Sequence, residues 1–344
     1  MSSTDPQRAA IEHLAERVGR DPLLIQGAGG NLSWKDGNVL WVKASGAWLA
    51  HARSEDMFVP VDLAGVRSMI DDGQDGYLDQ RIGDSKLRPS IETALHALMP
   101  QRIVAHLHAV DAIAHVVVSD GEALLEQRLE GIAWMWIPYH KPGAALATAI
   151  RTRMRETDRV PDVLMLANHG IVFCADDVSD VEALYRDVLA RLRIEPRPCA
   201  VDAVHESPLS GYVERRGTTR SLAYDAISLD VVRHHWVIYP DHAVFLGPEA
   251  RIFDSLDEAR SAPAADDDST RSRRPCVIVP GIGVWLPVAT SGAASDMLDC
   301  YAHVCLRLSD FQKVTSLDSS AVHALLNWEA EAYRKSLAGQ HANQ

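Results

Sequence analysis

Apolar residues recur at helical spacing from Pro6 to Val18, behind Ser, Thr and Asp residues suited to capping, and predict a first helix. A glycine-dense turn follows at Gln26-Gly27-Ala28-Gly29-Gly30, and the pattern changes to short strand-like runs. Leu32–Trp34 and Val39–Lys43 flank Asp36-Gly37, a hairpin signal, and the second run enters a turn at Ala44-Ser45-Gly46. Pro89-Ser90 opens a helix to about Met99, with Ser90 as its cap. Ile103–Val110 reads as strand and Asp111–Val118 as helix; Val163–Leu166 reads as a buried strand and Asp180–Arg193 as an amphipathic helix. The proline-bearing Glu195-Pro196-Arg197-Pro198 marks a break, so the expected domains are 1–198 and 199–344.

Beyond that break, Trp236–Tyr239 and Ala243–Leu246 read as strands around Pro240-Asp241-His242. Ser261–Pro275 is polar and nearly free of large apolar residues, the pattern of an exposed loop. Val277–Val279 reads as a strand turning at Pro280-Gly281-Ile282-Gly283, and Ala293–Leu308 and Ser319–Leu337 read as two long helices. No internal repeat is visible in the sequence. The expected class is α/β, a larger unit with a smaller α/β extension behind it.

Composition narrows the function. With 47% hydrophobic and 24% charged residues over 344 positions, the chain is an ordinary globular one. No apolar run approaches the length of a membrane span, and the start lacks the basic and apolar segments of a secretory leader, so no membrane partner and a cytoplasmic location are expected. Five cysteines without a CxxC pair point to reduced thiols, not to a disulfide framework or a zinc–thiolate site. A net charge of −13 argues against nucleic-acid binding. An anionic substrate must therefore be held by local devices.

The sharpest chemical signal is His106-Leu107-His108. Residues two apart on a strand share a face, so both imidazoles can converge on one ion; the plain alternative is a solvent-facing pair. His169, between Asn168 and Gly170 at the end of a buried strand, offers a third imidazole. Three protein ligands with an open fourth position is the donor set of a catalytic zinc-type site. Glu92, near a helix start, can be a displaceable ligand, a proton acceptor, or simply an acid favoured by the helix dipole. His96 follows one turn later, as a partner of the site or as a packing residue. Gly29–Ser33, Ser45-Gly46 and Ser90 offer backbone N–H groups and short hydroxyls at turns, which can hold an anion without a basic patch. No Walker pattern and no GxGxxG is present, so nucleotide binding is not indicated. His234, His235 and His242 are either a further metal or anion site or structural residues.

Six strings occur in order: GGNLS (29–33), VKASG (42–46), PSIETALHAL (89–98), VAHLHA (104–109), PYHKPG (138–143) and LANHG (166–170). Over about residues 8–195 this set resembles the class II aldolase/adducin superfamily, which includes fuculose-phosphate and rhamnulose-phosphate aldolases and ribulose-phosphate 4-epimerase. A looser likeness runs to the aldolase part of rhamnulose-phosphate aldolase/alcohol dehydrogenase fusions, through Pro240-Asp241-His242, Pro280-Gly281-Ile282-Gly283 and Trp328-Glu329. The resemblance implies an α/β/α layered fold around a mostly antiparallel sheet and a homo-oligomer, with a tetramer favoured. It implies that His106, His108 and His169 ligate a divalent ion, Zn2+ first and Mn2+ or Co2+ as alternatives. It makes Glu92 the catalytic acid/base and puts Asn31, Ser45, Gly46 and Ser90 on the substrate phosphate. The implied reaction cleaves a ketose 1-phosphate to dihydroxyacetone phosphate and an aldehyde through a metal-chelated enediolate. Epimerase, dehydratase or decarboxylase chemistry in the same site is the alternative, and a non-catalytic adducin-like scaffold is the alternative of another class. Two departures stand out: Ile91 replaces a second serine, and no tyrosine clearly matches the family's proton donor; Ala133-Trp134-Met135-Trp136 lies in the corresponding region, with Tyr139, His140 and Lys141 just after it.

Overall fold

The computed structural model describes residues 6–74, 77–199, 209–262 and 275–338. They fall in two units, one within residues 1–112 and 122–192, the other within 113–121 and 193–344. The first unit contains α1 (Pro6–Gly19), β1 (Asn31–Asp36), β2 (Val39–Lys43), β3 (Phe58–Asp62), α2 (Leu63–Asp71), α3 (Thr93–Leu98) and β4 (Ile103–Leu107). After α4 (Val110–Val116) and α5 (Gly121–Arg128) come β5 (Trp134–Ile137), α6 (Ala144–Thr157), β6 (Val163–Leu166), β7 (Gly170–Ala175) and α7 (Val178–Leu192). Its seven strands form one sheet in the order β3-β2-β1-β4-β7-β6-β5. Every neighbouring pair is antiparallel except β5 with β6.

Local chemistry explains the chain's path. Gly37, at φ +56°, closes the β1–β2 hairpin in the left-handed conformation that the Asp-Gly signal requires. α3 buries five of its six residues, Thr93 to Ala97, so its placement against the sheet is fixed by packing on all sides. Leu95 and Met99 join Leu164, Leu166, Val172 and Ile150 in one apolar cluster, and Ala94 and Ala97 join Leu40, Val42 and Val61 in another. The helix begins later than the sequence predicts. Ala44 and Pro89 form an antiparallel bridge and the Ser90 N–H donates to Lys43 O (3.0 Å), which holds 88–90 extended. Ser90 Oγ therefore accepts from the Glu92 N–H (3.2 Å) in a preceding turn, and Glu92 is the residue that enters the helix. β4 likewise stops at Leu107, so His108 lies just past the strand end.

The second unit contains β8 (Tyr212–Glu214), α8 (Ser221–Tyr224), α9 (Ala226–His234), α10 (Pro240–Leu246), β9 (Arg251–Ile252) and α11 (Leu256–Ser261). These are followed by β10 (Val277–Val279), β11 (Gly283–Pro287), α12 (Gly292–Cys305), α13 (Ser319–Leu326) and α14 (Glu329–Ala338). Its four strands are ordered β8-β11-β10-β9. Two sequence expectations fail here. Residues 236–239 form no strand and 243–246 are helical: Pro240 opens α10, where its fixed φ and missing N–H cost nothing, and all seven helix residues are buried, so no polar stripe betrays the helical period. The expected helix from Ser319 to Leu337 is two helices, because Asn327 caps the first and returns its side-chain amide to His323 O (2.9 Å). Most of the expected loop at Ser261–Pro275 lies outside the described residues. All five cysteines are free, and among the described residues no helix is long and apolar enough to cross a membrane.

Candidate metal centre

β4 lies between β1 and β7, with His106 opposite Asn31 on one side and Val172 on the other. His106 is fully buried and its Nδ1 lies 3.0 Å from Ile171 O. A carbonyl only accepts, so Nδ1 carries the proton and Nε2 presents its lone pair away from the sheet. That nitrogen is 3.1 Å from His108 Nε2, 3.4 Å from Glu92 Oε1, and Glu92 Oε1 is in turn 3.5 Å from His169 Nε2. Two ligands about 2.05 Å from one tetrahedral zinc-type ion lie about 3.3 Å apart, close to all three spacings. His108 and His169 are 4% and 5% exposed and Glu92 7%, so the three imidazoles and the carboxylate converge in a nearly dry site. His106, His108 and His169 are the one such ligand cluster among the described residues.

The β6–β7 turn delivers His169. Leu166 pairs with Gly170, leaving Ala167-Asn168-His169 as the turn, and the left-handed residue is Asn168 (φ +51°), not the glycine. Gly170 is needed for room: a Cβ there would sit 2.6 Å from Leu107 O and 3.3 Å from both the His106 and His108 rings. α3 brings Glu92 to the same place and is pinned to the sheet by a 2.7 Å bond between His96 Nδ1 and Ser33 Oγ. Burial, with a smaller contribution from nearby His106, pushes the His96 imidazole well below its ordinary pKa and keeps it neutral.

The expected anion-holding residues come from three segments that the structure draws together. Asn31 sits opposite His106, fully buried, with neither side-chain amide atom hydrogen-bonded. Gly30 precedes it at φ +61°, and a Cβ there would meet Ile25 Cδ1 at 2.1 Å and His106 O at 2.9 Å. Ser45 and Gly46 (φ +81°) follow β2, where the Ser45 N–H donates to Arg88 O (2.8 Å) on the segment leading to Ser90. Lys43 was not expected to matter. It is 2% exposed, and its ammonium donates to Ala28 O and Ala47 O, each at 2.8 Å, tying the glycine turn to the Ser-Gly turn. Its signal in the sequence was a lysine inside an otherwise apolar strand, directly before a turn.

Trp136 and His140 line a cavity of about 900 Å³ beside α6 with Thr148 and Glu156. Trp134 lines another of about 280 Å³ with Glu126 and Arg153. In the second unit, the His234 ring stacks on Phe311 (5.5 Å), while fully buried His242 is ringed by Tyr301, Trp236 and Tyr239 at 4.4, 4.5 and 5.6 Å. Those histidines form no common ligand set.

A buried three-imidazole set with an adjacent carboxylate suits a divalent ion held for Lewis-acid chemistry. The chain is 33% identical over 192 residues to the uncharacterized oxidoreductase YuxG of Bacillus subtilis (strain 168), a match that takes in 49% of this chain and 27% of that protein. It is similar to the N-terminal class II aldolase domain of a conserved protein from Thermoplasma acidophilum (TM-score 0.48, 21% identity, 56% of this chain and 94% of that one). L-fuculose-1-phosphate aldolase from Thermus thermophilus is also similar (TM-score 0.36, 19% identity, 54% of this chain and 93% of that one). The family model of the class II aldolase and adducin N-terminal domain matches residues 13–188, just over half of the sequence and the whole stretch that builds the metal centre, and the chain belongs to that family.

Proposed function

We propose that this chain is a divalent-metal-dependent aldehyde-lyase that cleaves a ketose 1-phosphate to dihydroxyacetone phosphate and an aldehyde. The observation that carries the proposal is the convergence of three buried imidazoles whose ligand atoms lie within 4.8 Å of one another, with Glu92 Oε1 3.4 and 3.5 Å from the Nε2 atoms of His106 and His169. His106, His108 and His169 hold the ion, with zinc the first choice for an all-imidazole set. A divalent ion held there would supply Lewis-acid stabilisation of the negative charge that develops on the ketose fragment.

The chain's own residues supply the rest. Asn31, Ser45, Gly46 and Ser90 fix the phosphate end through amide, hydroxyl and backbone N–H donors, and Asn31 enters this role with its amide uncommitted. Lys43 holds the first two turns at a set distance. While the proton that the C4 hydroxyl loses as the aldehyde forms passes to solvent, Glu92 moves the proton at the carbon released by C–C cleavage: as the carboxylic acid it gives a proton to C3 of the three-carbon fragment, and takes it back in the condensation direction. Its burial keeps water from competing for that proton. The protein acts as a homo-oligomer in this reading, with a tetramer favoured.

The test is metal analysis of the purified chain and of His106→Ala, with product analysis on a panel of ketose 1-phosphates. Stoichiometric metal in the wild type, its loss in the variant, and release of dihydroxyacetone phosphate are expected. Metal without cleavage would overturn the lyase assignment and leave epimerase, dehydratase or decarboxylase chemistry; absence of metal under all loading conditions would overturn the centre itself.

A further inference from the structure

The second unit retraces part of the first. In the first unit β5 runs parallel to β6, β6 turns back into β7, and β7 pairs antiparallel with β4. In the second, β9 runs parallel to β10, β10 turns back into β11, and β11 pairs antiparallel with β8. The chain visits them in the same order. Helices alone separate β4 from β5 and β8 from β9, one described helix precedes each hairpin, and a long helix follows it (α7 and α12).

The register agrees to the residue. Leu166 pairs with Gly170 and Val279 with Gly283, so both hairpins close over a three-residue turn beginning a strand with glycine. Two residues beyond each glycine, Val172 faces His106 and Trp285 faces Glu214. Glu214 therefore holds the position of His106, Arg216 that of His108, and Ile282, last in its turn, that of His169. The glycines give an independent check. A Cβ on Gly170 would lie 3.3 Å from His106 Cε1, and one on Gly283 would lie 3.2 Å from Glu214 Oε1.

None of the three positions keeps an imidazole. Arg220, 4% exposed, instead reaches this place: its Nη2 donates to Tyr224 Oη (2.8 Å) and to Ile282 O (3.5 Å), and its Nε is 3.9 Å from Glu214 Oε1. Tyr224 Oη donates in turn to Ile282 O (2.8 Å), and the guanidinium lies 4.9 Å from the Tyr224 ring centre. A metal ion needs lone pairs and takes them from neutral imidazoles. A guanidinium offers only N–H donors and needs acceptors, here a carboxylate, a phenol oxygen and a carbonyl. The exchange of His for Glu at position 214 is what swapping a metal cation for an arginine demands, and Arg220 with Glu214 balances the buried charge.

We propose that the second unit is a rebuilt copy of the metal-binding half of the first, in which the Arg220 guanidinium stands where the ion would be, so that the chain carries one metal centre and not two. The proposal rests on the metal reading of His106, His108 and His169, and the experiment separates the two. Zinc per chain is measured at saturation in the wild type and in His106→Ala, which report on the first unit alone. The second unit is tested in the His106→Ala background with Glu214→His, Arg216→His, Ile282→His and Arg220→Ala together. About one zinc per chain is expected to return, and none when Arg220 is kept in the same graft. A folded graft that binds no zinc, or one that binds it equally with Arg220 retained, overturns the proposal. Should the graft not fold, hydrogen exchange decides. Arg220→Ala should deprotect the Arg215 amide on the β8–β11 ladder by tenfold or more, with Arg220→Lys restoring part of the loss. Unchanged protection in Arg220→Ala overturns the proposal.

Discussion

Gly170 sets the tightest limit on the metal centre. Its missing side chain lets the β6–β7 turn pass within contact of both the His106 and His108 rings and of the Leu107 carbonyl. The carbonyl is backbone and cannot step aside, so Gly170→Ala forces β7 away from β4. The expected cost is about 1–3 kcal/mol of stability, in the range for overpacking, together with loss of most bound zinc, measurable by thermal unfolding and metal analysis. An unchanged melting temperature with full metal would show that the turn relaxes freely. Glu92→Gln tests the other half of the site. The amide keeps shape and burial but cannot exchange the proton, so zinc should remain and turnover should fall by about 10²–10⁴. At this scale the sequence was legible where chemistry is local: the HLH and NHG strings and the glutamate before an ALH helix point to one centre. What it hid depends on distant backbone. The two carbonyls that hold the Lys43 ammonium belong to Ala28 and Ala47, whose identities carry no trace of the contact.

Several elements that build the centre were readable: β6 falls on the continuous apolar run Val163–Leu166, and β2 and the hairpin around Gly37 fall where a strand-like run and Asp-Gly place them. Burial defeated the reading at α10. A helix buried on every side shows no exposed polar stripe, and its four-residue apolar run is indistinguishable from a strand. That burial has a measurable consequence. His242 is fully enclosed among Trp236, Tyr239 and Tyr301, neither ring nitrogen is hydrogen-bonded, and desolvation pushes its pKa down to about 3. A histidine neutral in the fold but titrating near 6.5 when unfolded makes the unfolded state the better proton binder between those values. Stability from this group is thus fully present above about pH 6.5 and is lost as pH falls toward 3, at up to ~1.4 kcal/mol per unit. His242→Phe should flatten the acid limb of the unfolding midpoint between pH 6 and 4, read from denaturant melts at several pH values. An acid limb identical to the wild type would mean that the imidazole finds a partner or water when charged.

Across the whole molecule, the correspondence between the two sheets was invisible in the sequence for a physical reason. What repeats is register and pairing sense, carried by strands whose interiors accept any buried apolar residue, while the polar positions that would mark a repeat were exchanged along with the cation they serve. Net charge, in contrast, is legible from composition and bears on how the substrate arrives. At −13 the protein repels a dianionic sugar phosphate at long range. The proposed anion site counters this with backbone N–H groups and neutral side chains, and the Lys43 ammonium behind them is already committed to two carbonyls. Attraction is therefore short-ranged and repulsion long-ranged, and salt acts on the long-ranged part first, the Debye length falling from about 30 Å at 0.01 M to about 8 Å at 0.15 M. Raising ionic strength over that interval with a non-coordinating salt should lower KM for the phosphorylated substrate by about two- to fivefold, leave kcat unchanged, and have no effect on an unphosphorylated analogue. A KM that rises with salt would overturn this reading and mean that a cationic group faces the phosphate directly.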